Sequence, residues 1–165
     1  MLASPRGQPE QQLRPDPAPQ TRRRRRPLLR QPGPRHARRP HLQNPWDIPG
    51  GAVETDESPR AGAHREIKEE LGLDLPPGRF LAIDWTPPRP DRSEGIVLIY
   101  DGGHLTDEQL ATIQLQPDEL RAYALVPPHD IGDRVIPLLA RRIHHSVHAR
   151  TQHTTLYLED GTPSA

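Results

Sequence analysis

The segment Trp46 to Leu73, WDIPGGAVETDESPRAGAHREIKEELGL, constrains this chain more than any other. It reads as an extended entry, a glycine turn, a loop and an acidic helix. Gly50-Gly51 lets the backbone turn tightly and approach a ligand. Ala52 to Glu57 is a short extended piece and loop. Ser58-Pro59 has the form of an N-cap followed by the first helical residue, where proline's missing N–H costs nothing. From Pro59 to Leu71 the only interior breaker is Gly62, and Gly72 stands where a helix C-cap glycine belongs. Ala61, Ile67 and Leu71 are expected to face the core.

Glu66, Glu69 and Glu70 crowd this helix. At 3.6 residues per turn, Glu66 and Glu70 lie one turn apart and Glu69 lies three beyond Glu66, so the three carboxylates can converge. Like charges at that density repel unless a cation neutralises them. Hard carboxylate oxygens suit Mg²⁺ or Mn²⁺, and Mg²⁺ suits pyrophosphate or polyphosphate substrates. Arg65, four before Glu69, can brace it by an ion pair. The same charges also describe an ordinary solvated helix face.

Spacing separates these readings. The segment resembles the Nudix box, G-x5-E-x7-R-E-U-x-E-E-x-G-U, where U is aliphatic. Gly51, Glu57, Arg65, Glu66, Ile67, Glu69, Glu70, Gly72 and Leu73 fill every specified place, on the loop–helix context the motif requires. The flanks WDIPGG, GIVLIYDGG and ELRAYALVPPHDI extend the resemblance over residues 45–160.

The resemblance implies a Nudix α/β/α sandwich with a mixed sheet. It implies Mg²⁺-dependent hydrolysis (Mn²⁺ as the substitute) of a nucleoside diphosphate linked to a group X. By the same resemblance Glu66, Glu69 and Glu70 bind metal, the Gly51 carbonyl assists, Arg65 orients a glutamate and Glu57 supports loop and helix by ion pairing. The general base varies across the family; Glu94 and Glu119 are the candidates here. A homodimer paired through sheets is the oligomer the family suggests.

The rest of the chain is read around this segment. Strands are expected at 79–85, 96–100, 119–126 and 154–159. Helices are expected at 107–113 and 136–150, the first capped by Thr106. The run Ile96 to Tyr100 is continuously apolar, which suggests burial on both faces. Leu138, Leu139, Ile143 and Val147 give the last helix one apolar face. Arg89 and Arg92, in the loop PPRPDRSEG, are candidates to meet substrate phosphates. Trp46 and Trp85 fit the core better than a base-stacking role. His144, His145 and His148 read as surface histidines rather than a metal site.

Residues 1–44 differ in kind. They hold arginines 6, 14, 22 to 26, 30, 35, 38 and 39 against only Glu10 and Asp16, although the whole chain of 165 residues has zero formal net charge. Prolines recur and apolar periodicity is missing, so the segment is expected to be disordered, with only Leu28 and Leu29 hinting at a strand. Residues 161–165 are a tail. The Arg22–Arg26 run reads as a solvated basic tail. The rival, nucleic-acid binding through this head, predicts steep salt dependence. Nudix domains place strands before the box, so the head suggests a truncated domain or an out-of-frame start. A catalytically impaired protein with an incomplete sheet is therefore the alternative to an enzyme. There is no cysteine, which excludes disulfides and thiolate metal sites. No apolar run is long enough to span a membrane, and the cytoplasm is the expected location.

Overall fold

The computed structural model describes residues 27–32, 46–116 and 120–164. The central helix, α1, runs Pro59–Leu71. Its start and stop follow the local chemistry. Ser58 is extended, and its side chain accepts a hydrogen bond from the Ala61 N–H at 3.2 Å. Gly72 adopts the left-handed conformation, with φ of 69°, and donates its N–H to the Lys68 carbonyl. The Gln114 N–H then covers the Leu71 carbonyl, so another end carbonyl of the helix is satisfied by the chain beyond it.

Behind α1 lies a four-stranded mixed sheet. Strand β2 (Phe80–Thr86) pairs antiparallel with β3 (Gly95–Tyr100) and parallel with β5 (Leu156–Glu159), which pairs antiparallel with the short β6 (Thr162–Pro163). The parallel pair needs a long crossover, and helix α3 (Pro137–Thr151) supplies its last part. Leu138, Leu139, Ala140, Ile143 and Ala149 of α3 are buried, as its apolar spacing requires. Helix α2 (Asp107–Ala111) is a capped turn with Thr106 and Gln109 forming a capping box, shorter than the expected 107–113. A 3₁₀ turn over Pro128–Asp133, not foreseen, buries Ile131. With helices packed on mixed and antiparallel sheets, this is an α/β fold.

A second, two-stranded sheet corrects the expectation for residues 1–44. Strand β1 (Leu28–Pro32) pairs antiparallel with β4 (Leu120–Leu125), setting Leu29 opposite Ala124 and Arg30 opposite Tyr123. Leu29 is fully buried in a cluster with Val126, Ile131, Val135, Leu139 and Ile143, and Trp46 packs against it. The ladder with a distant strand and the burial of one leucine overcome the poor local composition. The rest of residues 1–44, including Arg22–Arg26, lies outside the described residues.

Two further expectations change. Ala61 is exposed; Gly62, Glu70 and Leu71 are the buried residues of α1. Strand β3 is not buried on both faces, since Ile96 is 60% exposed. Among the described residues β3 has a hydrogen-bonded neighbour on one side only. A cavity of about 510 Å³ lies between the apolar side of α1 and β3, lined by Ile67, Leu71, Val97, Ile99 and, from α3, Ile143 and Val147. None of the three clustered glutamates lines it, but Gly50 and Gly51, the turn against which Glu66 and Glu70 lie, do.

Candidate metal and substrate site

The charged face of α1 meets the turn that precedes it. Gly51 has no β-carbon, and one built there would overlap the Glu66 carboxylate. The glycine is therefore what lets this carboxylate lie against the turn. Gly50 donates its N–H to Glu70 Oε2 at 3.2 Å.

Arg65 ties the loop to the helix. Its guanidinium grips Glu57 in a two-pronged pair, Nη2 to Oε1 at 2.8 Å and Nε to Oε2 at 3.2 Å. Nη2 also reaches the Ala52 carbonyl, while Nη1 donates to Glu66 Oε1 and Glu69 Oε2, each at 3.0 Å. Such a fork holds several acceptors at fixed angles, which a lysine could not do. The Arg65 hydrogen bond is the main reason the Glu57 carboxyl is held below its ordinary value, and the Glu54 N–H adds to it. Glu57 in turn keeps Arg65 more firmly protonated than usual. Gly62 makes this pairing fit: a β-carbon there would stand 2.8 Å from Glu57 Oε1.

Glu70 is the buried member, with its side chain 8% exposed against 49% for Glu69. Burial pushes its carboxyl up to about 7; the Arg30 charge and the Gly50 N–H oppose the shift, while Glu66 and Asp47 add to it. Arg30 comes from β1. Its Nε lies 3.1 Å from Glu70 Oε1 and donates to the Ile48 carbonyl at 3.0 Å, and Nη2 donates to the Gly50 carbonyl at 2.9 Å. A backbone bridge between Arg30 and Asp47 fixes the strand to the entry of the turn.

The expected convergence of three carboxylates is thus replaced by pairing with arginine. Among the described residues no three of His, Asp or Glu sit close enough together to hold a metal ion. The donor set still fits a hard divalent cation. The fit lies in the chemistry of the donors rather than in their present spacing: Glu66 and Glu69 share Arg65 Nη1, and Glu70 is desolvated beside Arg30.

Arg89 pairs with Asp160 at 2.6 Å, and its backbone bridges to Arg92 across the loop. Arg92 Nε is buried without a hydrogen-bond partner. Glu94 is exposed, and Glu119 falls outside the described residues. His144 bonds the Pro128 carbonyl at 2.9 Å. Trp46 is half-buried with the Arg134 guanidinium over its ring, and Trp85 is partly exposed. Arg30 joins the site without any motif of its own to mark it in the sequence. The one signal for it was the Leu28-Leu29 pair just before it.

A glycine turn, an arginine-braced acidic helix and a mixed sheet behind them define an α/β domain built to present clustered carboxylates. Residues 21–149 match the model of the NUDIX domain. The chain belongs to the Nudix family, whose enzymes generally use divalent metals. It is 30% identical over 90 residues to a CTP pyrophosphohydrolase of Escherichia coli (strain K12), covering 50% of this chain and 63% of that protein. It is 33% identical over 82 residues to a MutT-like protein of Streptomyces ambofaciens, covering 46% of this chain and 50% of the other. The chain thus spans less than two thirds of these curated relatives. A solved MutT protein from Methanosarcina mazei Go1 superposes with a TM-score of 0.56 at 25% identity, over 76% of this chain and 83% of that one. An ADP-ribose pyrophosphatase from Streptococcus suis 89-1591 shares the fold, with a TM-score of 0.54 at 19% identity over 82% and 90% of the two chains. Among the described residues no helix is long and apolar enough to cross a membrane.

Proposed function

We propose that this protein is a Mg²⁺-dependent pyrophosphohydrolase, with Mn²⁺ as an alternative metal, acting in the cytoplasm on a nucleoside diphosphate linked to a further group X. The observation that carries this reading is the buried Glu70 beside Glu66, Glu69 and the Gly50-Gly51 turn, all on one loop–helix unit. The pyrophosphohydrolase names of the relatives support the substrate class.

Glu66, Glu69 and Glu70 would hold the metal, with the Gly51 carbonyl as a further oxygen. When bound, a divalent cation would neutralise charge on the diphosphate oxygens. Arg65 sets where the Glu66 and Glu69 carboxylates point, and Glu57 sets where Arg65 points. The Gly50 N–H does the same for Glu70. This placement precedes the reaction, so little reorganisation is left for the transition state. Water adds to one phosphorus, the bridging P–O bond breaks, and both products leave carrying phosphate.

A screen of nucleoside triphosphates, dinucleotides, ADP-ribose and capped RNA with Mg²⁺ and with Mn²⁺ tests the reading. Release of a phosphate-bearing product that stops with chelator is expected. No turnover of any compound by folded protein with either metal would contradict it.

A further inference from the structure

Glu70 has a cation in place already, and that cation belongs to the protein. The Arg30 guanidinium stands 3.1 Å from Glu70 Oε1, with the two side chains 11% and 8% exposed. It does not depend on Glu70 for its position. Nε also donates to the Ile48 carbonyl and Nη2 to the Gly50 carbonyl. These two neutral acceptors, the Ile48 and Gly50 carbonyls, would keep the guanidinium beside the turn if the carboxylate were taken by something else.

We propose that Arg30 competes with the divalent metal for Glu70 and, once the metal displaces it, offers its charge to the phosphate of the substrate. The inference rests on the metallohydrolase reading above. A dication on Glu70 repels the neighbouring guanidinium and satisfies the carboxylate that held it. The guanidinium is then a poorly solvated cation with free donors beside the turn. A phosphate is the acceptor that its planar fork matches best. The metal-free pair and the loaded site thus use the same arginine in two roles. Arg65 differs, because its main partner is Glu57, which is outside the carboxylate cluster.

The test separates this from a merely structural role, because its two effects have opposite signs. Mn²⁺ binding is measured by calorimetry without substrate, on the full chain and on its Arg30→Gln and Arg30→Lys variants. Arg30→Gln is expected to bind Mn²⁺ about three- to tenfold more tightly, and KM for the best substrate to rise about tenfold or more. Arg30→Lys, which keeps the charge, should return metal affinity to near that of the parent. Unchanged or weaker Mn²⁺ binding by a folded Arg30→Gln variant would overturn the proposal. If that variant does not fold, the parent chain decides: adding Mg²⁺ should shift the NMR resonance of the Arg30 Nε–H, and an unmoved resonance at metal saturation would overturn it. A parent chain that binds neither metal would remove the metallohydrolase reading itself. Binding with no response at Arg30 removes only this inference.

Discussion

Gly62 and Glu57 are fitted to each other: a β-carbon at position 62 would lie 2.8 Å from Glu57 Oε1. A glycine inside a helix costs about 1 kcal/mol relative to alanine, so its presence in α1 needs a reason. The reason is room for the carboxylate that anchors Arg65. Gly62→Ala should therefore separate stability from activity. The obstructing atom ends a flexible side chain, so the melting temperature should hold or rise. Turnover should fall about tenfold as Arg65 loses its aim. A melting scan beside a rate assay checks both; an unchanged rate would show that the pairing is dispensable.

The Glu57–Arg65 pair also has a defined pH signature. The folded Glu57 carboxyl is held below its ordinary value, chiefly by Arg65. The unfolded chain then takes up the proton first as the solution is acidified. Stability from this group is present above the ordinary carboxylate range and is lost as pH falls through that range toward the folded value. Urea midpoints of the parent and Glu57→Gln should differ at pH 7, and the gap should narrow as the pH is lowered toward 3. An equal gap at both values would contradict the assignment.

Asp84 is fully buried on β2, with Arg142 Nε at 2.5 Å from Oδ2 and the Gly161 N–H donating to Oδ1 at 2.8 Å. Arg142 also donates to Thr86 Oγ1 at 2.7 Å. Removing the arginine alone leaves a buried charge without its counter-ion, a loss of about 3–5 kcal/mol. Arg142→Met should be strongly destabilised. The double variant Asp84→Leu with Arg142→Met should recover much of the loss. Denaturant melts decide the matter, and a mild effect of Arg142→Met would show that Asp84 is satisfied without it.

The exposed edge of β3 bears on association. Ile96 is 60% exposed on a strand with one described neighbour, and an apolar edge is a template for pairing with another chain. Ile96→Lys should lower self-association in light scattering while leaving the melting temperature within a few degrees of the parent. A parent chain that is monomeric at all concentrations would contradict this.

Much of the site was legible in the sequence because its parts are local. Ser58, Pro59 and Gly72 bound α1 by interactions spanning a few residues. The offsets from Gly51 to Leu73 place Arg65 within reach of Glu57, Glu66 and Glu69 through one loop and one helix. Arg30 was not legible. Its strand is made by pairing with β4, some ninety residues away, and by burying Leu29 among residues of the 3₁₀ turn and α3. No local pattern in an arginine- and proline-rich stretch signals a non-local ladder. The Ile96–Tyr100 run misled for a related reason: apolar composition reports what a strand can bury, and its neighbours decide what it does bury. Arg89 is read as a phosphate contact from its charge and its loop, and the pair it makes with Asp160 depends on a residue some seventy positions away that no local pattern indicates.

The most direct measurement is the rate of metal-dependent hydrolysis by the parent and by Glu70→Gln, each shown folded by circular dichroism. With the best nucleotide-like diphosphate and saturating Mg²⁺, the parent should turn over and lose activity with chelator. Glu70→Gln should fall by about a hundredfold or more. Full activity in the folded Glu70→Gln protein, or a parent rate indifferent to chelation, would contradict the assignment of this buried carboxylate to a metal.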